Sequence, residues 1–152
     1  MQDAQLDVGS TAFDVADRLA IINLFGAYAD FYDQNQLADF RLLFTESPEL
    51  GLRLRDGTAV SQGIDTVMEL LALRKGEFSA QNNQRRHALN SFWFSSQSAE
   101  EATGRCSFQV FAIQDGGPPT PDLTGCYEFT AAKQGGVWRL SRWFLEIDQA
   151  QL

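Results

Sequence analysis

The stretch Ile21 to Phe44, IINLFGAYADFYDQNQLADFRLLF, predicts two successive helices and decides how the fold begins. Its apolar side chains recur at steps of three and four residues, which is typical of an amphipathic helix with one buried face. The same periodicity extends back to Ala12 and predicts a first helix that ends at about Asp33. The polar run Gln34 to Gln36 breaks the pattern. A second short helix then carries Leu37, Phe40, Leu43 and Phe44 on one side.

The segment that follows predicts a small hairpin and a third helix. Leucines alternate with polar residues from Leu50 to Leu54, and the Asp56-Gly57 turn after them is typical of a hairpin. Helical spacing from Ile64 to Leu73 predicts the third helix, which we expect to end at Gly76. A polar loop is expected from Ser79 to Gln84.

The second half of the chain predicts an antiparallel sheet. Four long strands are expected, over Arg86 to Ser96, Thr103 to Gln114, Leu123 to Lys133 and Gly136 to Asp148. The segment Gly116 to Pro121 is expected to be an exposed connection outside the sheet, because proline has no backbone N–H to donate. Helices that precede such a meander indicate the α+β class, with helices covering one face of the sheet. We expect a single domain over residues 1–152, with residues 1–10 flexible.

Both faces of the predicted strands carry large apolar side chains. In the first long strand, Leu89 and Trp93 share one parity, whereas Phe92 and Phe94 share the other. The last strand has the same character, with Trp138, Leu140 and Phe144 opposite Val137, Trp143 and Leu145. One face packs on the helices, so the other would be exposed in a monomer. We therefore expect a homodimer, or a larger homo-oligomer, formed through the outer face of the sheet.

Composition excludes several classes of function. The net charge is −8 and the longest basic cluster is Arg85-Arg86, which disfavours nucleic acid as a partner. No apolar run approaches membrane-spanning length, so no membrane is expected as a partner. One histidine and two separated cysteines offer no metal-ligand spacing. Cys106 and Cys126 are predicted to be buried free thiols in a reducing compartment, and a cytoplasmic protein is expected.

The order of these elements resembles the cone-shaped α+β fold of the nuclear transport factor 2-like superfamily, in which three N-terminal helices pack on a curved, mainly antiparallel sheet. Ile21 to Phe44 is similar to the first two helices of SnoaL-like polyketide cyclases and scytalone dehydratase-like proteins, where a Tyr/Asp pair ends the first helix. Arg86 to Asn90, RHALN, resembles the start of their histidine-bearing strand. Gly136 to Leu140, GVWRL, resembles their last strand.

The resemblance implies a single SnoaL-like domain and maps three pocket residues onto Tyr32, Asp33 and His87. The chain departs from the dehydratase pattern in one respect, because it lacks the second pocket histidine of those enzymes. The serine and asparagine that they carry on a later strand are replaced around Cys126 and Glu128. The resemblance thus implies a site with one histidine.

Such a site suits acid–base chemistry at a carbon atom. A carboxylate beside an imidazole fixes one ring nitrogen and leaves the other free to move a proton. Dehydration, isomerisation and cyclisation of a small hydrophobic carbonyl compound, such as a polyketide-like or steroid-like molecule, need this base and no metal or organic cofactor. We expect His87 and Asp33 to be catalytic, with Tyr32 or Tyr28 donating a hydrogen bond to the carbonyl oxygen. The predicted activity is that of a cofactor-independent lyase or isomerase.

Several alternatives remain open. Tyr28, Trp93 and Glu128 are candidate substrate-binding residues, Glu128 only if its side of the strand faces inward. Asp30 is a weaker candidate than Asp33, because it should point away from the stripe of tyrosines. Asp33 would otherwise cap its helix or face solvent, and His87 would be an ordinary strand histidine. The chain would then be a non-catalytic small-molecule binding protein, or an assembly subunit resembling the small subunit of ring-hydroxylating dioxygenases. Arg85 and Arg86 are predicted to be solvated and are left out of the site.

Overall fold

The computed structural model describes residues 8–148 and shows three helices packed on one six-stranded sheet within that range. The helices are α1 (Val15–Asp33), α2 (Leu37–Arg41) and α3 (Ile64–Ala80), and the strands are β1 (Phe44–Arg53), β2 (Ala59–Gln62), β3 (Asn83–Gln97), β4 (Glu101–Gln114), β5 (Thr120–Gln134) and β6 (Val137–Ile147). The strand order is β2-β1-β6-β5-β4-β3. Among the described strands only the β1–β6 pair is parallel. The predicted α+β class, with three helices on a mainly antiparallel sheet, is confirmed.

The first helix is positioned by its two ends. Asp14 caps its start by accepting a hydrogen bond from the backbone N–H of Asp17 at 2.8 Å, so the helix begins slightly later than the predicted Ala12. Its end at Asp33 is as predicted, and Asn35 then adopts a left-handed backbone with φ of 59°. The buried side chains of this helix are Ile21, Phe25, Tyr28 and Tyr32, and they form the core with the inner face of the sheet.

Further boundaries differ from the sequence-based expectation. The predicted loop Ser79 to Gln84 is shorter, because α3 extends to Ala80 and β3 begins at Asn83. Phe44 belongs to β1 instead of α2, because it pairs with Leu140 in the parallel ladder. Helix α3 continues past Gly76 to Ala80, since a single exposed glycine costs a helix only about 1 kcal/mol. Pro121 pairs with Phe111 of β4, so part of the proline-rich segment joins the sheet. The β5–β6 pairing begins only at Gly125, so Pro121 lies where its missing N–H interrupts no β6 ladder.

Two bulges explain why both faces of the predicted strands looked apolar. Ser91 adopts φ of 53°, and the β3–β4 register shifts between Asn90 and Trp93, so Trp93 lies on the face opposite to Leu89. A second register shift lies opposite the step from Thr130 to Ala131 of β5. It places large apolar side chains from both halves of β6 on the inner face of the sheet.

The inner face of β6 therefore carries Trp138, Leu140, Trp143 and Leu145, with Trp143 and Leu140 in the core. On the outer face Phe144 is buried beneath the guanidinium groups of Arg53 and Arg142. The outer face is therefore less apolar than the sequence indicated. A homo-oligomer stays a prediction.

The structure also bears on the predictions for the two cysteines, for a membrane and for the N-terminal segment. Cys106 is buried, Cys126 is half-buried, and both are free thiols; burial raises the pKa of Cys106 to about 12. No helix within residues 8–148 has the length and apolar character needed to cross a membrane. Of the segment 1–10 that we expected to be flexible, residues 1–7 lie outside the described residues.

Gly125 provides a test of strand packing. A Cβ atom there would overlap the backbone carbonyl oxygen of Glu146 and the ring of Phe108. We expect Gly125→Ala to lower the free energy of unfolding by roughly 1–3 kcal/mol, as overpacking does. Gly26→Ala is the matched control, because Gly26 is exposed in α1 with nothing near its Cβ position. It should stabilise the protein by about 0.5–1 kcal/mol in urea unfolding. Equal effects of the two substitutions would contradict the packing described here.

Asp17 provides a test of how α1 is fastened to the sheet. Its carboxylate accepts hydrogen bonds from the Trp138 indole and the Lys133 ammonium, both at 2.9 Å. These two bonds, chiefly that from Trp138, lower the pKa of Asp17 below its ordinary 3.8. The unfolded chain therefore binds a proton first on acidification.

The stabilising contribution of Asp17 should be complete above pH 3.8 and lost as the pH falls through the lowered pKa. Thermal unfolding of Asp17→Asn should thus differ from wild type at neutral pH and converge with it in acid. Asp65→Asn is the control, since Asp65 occupies the first turn of α3 just as Asp17 occupies the first turn of α1. A difference that persists unchanged in acid would count against the role given to Asp17.

Candidate active site

The end of α1 places a buried carboxylate against β3. Asp33 Oδ1 lies 2.7 Å from His87 Nδ1, and Asp33 Oδ2 accepts the backbone N–H of His87 at 2.9 Å. The Asp33 side chain is only 2% exposed and that of His87 10%. A carboxylate at a helix C-terminus opposes the helix dipole, so the bonds from the strand must stabilise it there. Asp33 therefore neither caps its own helix nor faces solvent.

This geometry fixes the tautomer of His87. An ionised carboxylate only accepts hydrogen bonds, so the proton between Asp33 Oδ1 and His87 must reside on Nδ1. No residue within the described part of the chain forms a hydrogen bond with Nε2. The second ring nitrogen is thus available to take a proton from, or give one to, another molecule.

Two cations lie beside the Asp33 carboxylate and its backbone. Arg86 Nη1 is 3.8 Å from Asp33 Oδ2, and Lys75 Nζ donates to the backbone carbonyl oxygen of Asp33 at 3.2 Å. Opposite charges at these distances offset the cost of burying a carboxylate. Asp30, the weaker sequence candidate, is exposed on the same helix.

Tyr32 lies between the Asp33–His87 pair and the aromatic core. The edge of its ring contacts His87, with 4.5 Å between ring centroids, and it also meets Phe40 at 6.1 Å. Burial raises the pKa of Tyr32, and the charges of Arg74 and Arg85 oppose this only in part. The hydroxyl is therefore protonated at neutral pH and is able to donate a hydrogen bond.

An apolar cavity of about 210 Å³ opens between the inner face of the sheet and α3. Aromatic and aliphatic side chains dominate its lining, among them Phe40, Phe44, Leu50, Leu71 and Leu145. Gln62 of β2 and Arg74 of α3 also line the cavity and contribute polar groups. The sequence-predicted residue Tyr28 lines this cavity, whereas Asp33 and His87 are not among its lining residues. Tyr32 touches both His87 and the cavity residue Phe40, and it therefore connects the Asp33–His87 pair with the cavity.

Trp93 and Glu128 lie elsewhere, on the outer face of the sheet. Strand alternation places Glu128 between the inward-facing Tyr127 and Phe129, and the bulge at Ser91 turns Trp93 outward, leaving it 52% exposed. The two share a shallow groove on that face. The structure therefore separates both residues from Tyr28, and neither lies at the Asp33–His87 pair.

Glu128 is paired with arginines on the outer face. Arg53 Nη2 is 3.2 Å from Glu128 Oε1, and Arg142 forms a second ion pair with the same oxygen. Burial raises the pKa of Glu128, but the charges of Arg142 and Arg53 outweigh it, so the pKa lies below its ordinary value. This carboxylate is ionised and held by structural partners.

The prediction that both Arg85 and Arg86 are solvated is wrong for Arg85. Arg85 is buried with 6% exposure, forms an ion pair with Asp122, and stacks on the Phe78 ring at 4.6 Å. Arg86 is exposed, as expected. The parity of β3 turns Arg85 to the inner face, together with His87.

Tyr127 and Trp143 were not recognised as cavity residues from the sequence. Both line the cavity beside Tyr28, and the Tyr127 hydroxyl lies 3.4 Å from the Tyr28 hydroxyl. A tyrosine within a strand of buried parity was the available signal, because a buried phenol usually needs a polar partner. No cluster of three or more potential metal-ligating His, Cys, Asp or Glu side chains occurs within residues 8–148.

Three helices on a six-stranded mixed sheet define the α+β cystatin-like fold, also called nuclear transport factor 2-like. The model of the SnoaL-like domain family matches residues 14–143. The chain belongs to this family. No match was found among curated proteins.

Solved structures share the fold at low sequence identity. ActVI-ORFA from Streptomyces coelicolor is 17% identical, with a TM-score of 0.75, and the match covers 91% of this chain and 100% of that one. A proposed scytalone dehydratase from Novosphingobium aromaticivorans is 20% identical, with a TM-score of 0.70 and coverage of 89% and 86%. The β subunit of a proposed aromatic-ring-hydroxylating dioxygenase from the same organism is 20% identical, with a TM-score of 0.71 and coverage of 91% and 95%. These similarities show the fold.

Proposed function

We propose that this protein is a cofactor-independent lyase or isomerase, of the dehydratase-like or cyclase-like kind, that acts on a small, mainly apolar carbonyl compound. The observation that carries the proposal is the Asp33–His87 pair, with 2.7 Å between Oδ1 and Nδ1 and the carboxylate 2% exposed. A buried, hydrogen-bonded carboxylate that fixes one imidazole nitrogen is an arrangement suited to general acid–base catalysis.

His87 is the acid–base group in this proposal. Its Nε2 takes a proton from the carbon next to the substrate carbonyl, and the bonding electrons move onto the carbonyl oxygen to form an enolate. The same nitrogen then returns the proton, to a leaving hydroxyl in dehydration or to another carbon in isomerisation. Asp33 orients the ring and stabilises the charge that it gains. A neutral phenol, either that of Tyr32 or that of the cavity residue Tyr28, donates a hydrogen bond towards the developing oxyanion, since burial raises the pKa of both.

The size and chemistry of the cavity favour a compact substrate. Its volume of about 210 Å³ is below the roughly 300–1,000 Å³ of most ligand sites, which favours a molecule of one or two rings over a steroid. Its mainly aromatic and aliphatic walls favour a ligand that is itself mainly apolar. Similarity to a proposed scytalone dehydratase supports the dehydratase-like alternative among these reactions.

A second candidate is a non-catalytic role, as a small-molecule binding protein or an assembly subunit. It is favoured by the lining of the cavity, which includes Tyr28 but neither Asp33 nor His87. Similarity to the β subunit of a proposed ring-hydroxylating dioxygenase favours it too. An assembly subunit would co-purify in stoichiometric amount with a larger chain. A homodimer formed through the outer sheet face would need no larger chain.

Deuterium exchange separates the two candidates without knowledge of the natural substrate. 1-Indanone is a compact ketone with acidic protons next to its carbonyl group, and their replacement in D₂O is followed by proton NMR. The enzyme proposal predicts exchange that is faster with protein than with buffer and that saturates with ketone concentration. Saturable binding of 1-indanone without accelerated exchange would favour the binding protein and contradict the enzyme.

A further inference from the structure

Three polar groups meet on one side of the mainly apolar cavity. The hydroxyls of Tyr28 and Tyr127 are 3.4 Å apart, and both rings pack on the indole of Trp143, with centroid separations of 4.9 and 4.3 Å. All three side chains are buried, and all three line the cavity. They come from α1, β5 and β6, so the fold itself brings them together.

These groups offer more hydrogen-bond donors than the protein uses. The indole Nε1 of Trp143 is buried and has no hydrogen-bond partner within residues 8–148. It lies close enough to Tyr28 to oppose in part the rise in pKa that burial causes in that phenol, but it does not reach normal hydrogen-bond geometry. Between the two tyrosines, one hydroxyl donates to the other across a long contact, which leaves the second hydroxyl proton free.

Both phenols are neutral donors at ordinary pH. Burial raises the pKa of Tyr28 to about 12 and that of Tyr127 well above its ordinary value of 10.0. A neutral phenol oxygen is able to accept a hydrogen bond, but neither tyrosine hydroxyl lies in hydrogen-bond geometry with Nε1 of Trp143. Buried donors without an acceptor are rare in native structures because they carry the full cost of lost hydration. An acceptor atom on a ligand would satisfy them.

We infer that Tyr28, Tyr127 and Trp143 form one subsite that binds the carbonyl oxygen of a compact apolar ligand. Tyr127 and Trp143 thereby become specificity-determining residues of the cavity, in addition to the tyrosines expected from the sequence. The choice of a carbonyl ligand rests on the proposed function. Binding at the subsite requires neither turnover nor the Asp33–His87 pair, so the two proposals fail separately.

The test compares 1-indanone with indane, which has the same fused rings and lacks the oxygen. Binding of each probe is measured by isothermal titration calorimetry or by tryptophan fluorescence. Wild type should bind 1-indanone about tenfold or more tightly than indane, as expected for two hydrogen bonds formed in a buried site. Tyr127→Phe and Trp143→Phe should each reduce this preference, and the double variant should remove it. Tyr127→Phe keeps the ring and suffices alone if Trp143→Phe does not fold.

Leu71→Ala is the matched control, because Leu71 lines the same cavity without a polar group. It should weaken or strengthen binding of both probes by the same factor. The inference is overturned if wild type binds the two probes equally, if it binds neither, or if the preference survives Tyr127→Phe in a folded protein. Binding of 1-indanone with its preference intact but without deuterium exchange would retain the subsite and refute the catalytic proposal.

Discussion

Replacing His87 with glutamine is expected to lower the protein-dependent rate of deuterium exchange into 1-indanone by roughly 10²–10⁴-fold, the usual contribution of a general acid–base group. Glutamine is able to donate a hydrogen bond to Asp33 but has no nitrogen that exchanges a proton near neutral pH. The sequence contains a single histidine, so no second imidazole is able to compensate.

The binding of 1-indanone serves as the control for this substitution. The proposal gives Nε2 a proton to exchange and no hydrogen bond that holds the ligand, so His87→Gln should leave the dissociation constant within about twofold of wild type and the far-ultraviolet circular dichroism unchanged. A loss of exchange that is explained by a loss of binding would assign His87 a binding role. Undiminished exchange in His87→Gln would refute the acid–base assignment.

Replacing Asp33 with alanine is expected to have the largest effect on stability among polar substitutions at the site. It removes the acceptor of two hydrogen bonds from His87, one from the backbone and one from the ring. Bonds to a charged group contribute roughly 1.5–3 kcal/mol each, and the donors left behind would be buried. Urea unfolding should therefore show a clearly lower midpoint with an unchanged slope.

Asp30→Ala is the matched control for Asp33→Ala. Asp30 is exposed one turn earlier on the same helix, so both substitutions gain the same helix propensity and relieve a similar interaction with the helix dipole. The Asp30 variant should stay within about 0.5 kcal/mol of wild type. Equal midpoints for the two variants would mean that the bonds of Asp33 to β3 contribute nothing to the fold.

The sequence carries enough information to predict the fold and the pairing of Asp33 with His87. The apolar stripe that ends in Tyr32-Asp33 marks the buried face of α1, and that face has to meet the sheet. Ile64 likewise begins α3 where the helical spacing begins. The helices follow from local periodicity, which depends on a few neighbouring residues, whereas the pairing of Asp33 with His87 was expected from the resemblance to SnoaL-like and dehydratase-like proteins.

The positions that could not be predicted depend on bulges and long-range pairing. Trp93 has the parity of Leu89, and only the left-handed Ser91 between them reverses its face. Trp143 reaches the cavity because an extra residue in β6, opposite the Thr130–Ala131 step, corrects its parity in the same way. A bulge has no reliable sequence signature here, since Ser91 is not a glycine. The extent of the cavity also depends on how α3 packs, which residue spacing does not determine.

Asp33 is expected to hold His87 with Nε2 open to a ligand, and nitrogen-15 NMR of the imidazole ring tests this most directly. Because the chain has one histidine, the ring gives one pair of nitrogen signals. The neutral ring should carry its proton on Nδ1, and saturating 1-indanone should shift the Nε2 signal. A neutral ring protonated on Nε2, or an Nε2 signal that does not respond to bound 1-indanone, would contradict it.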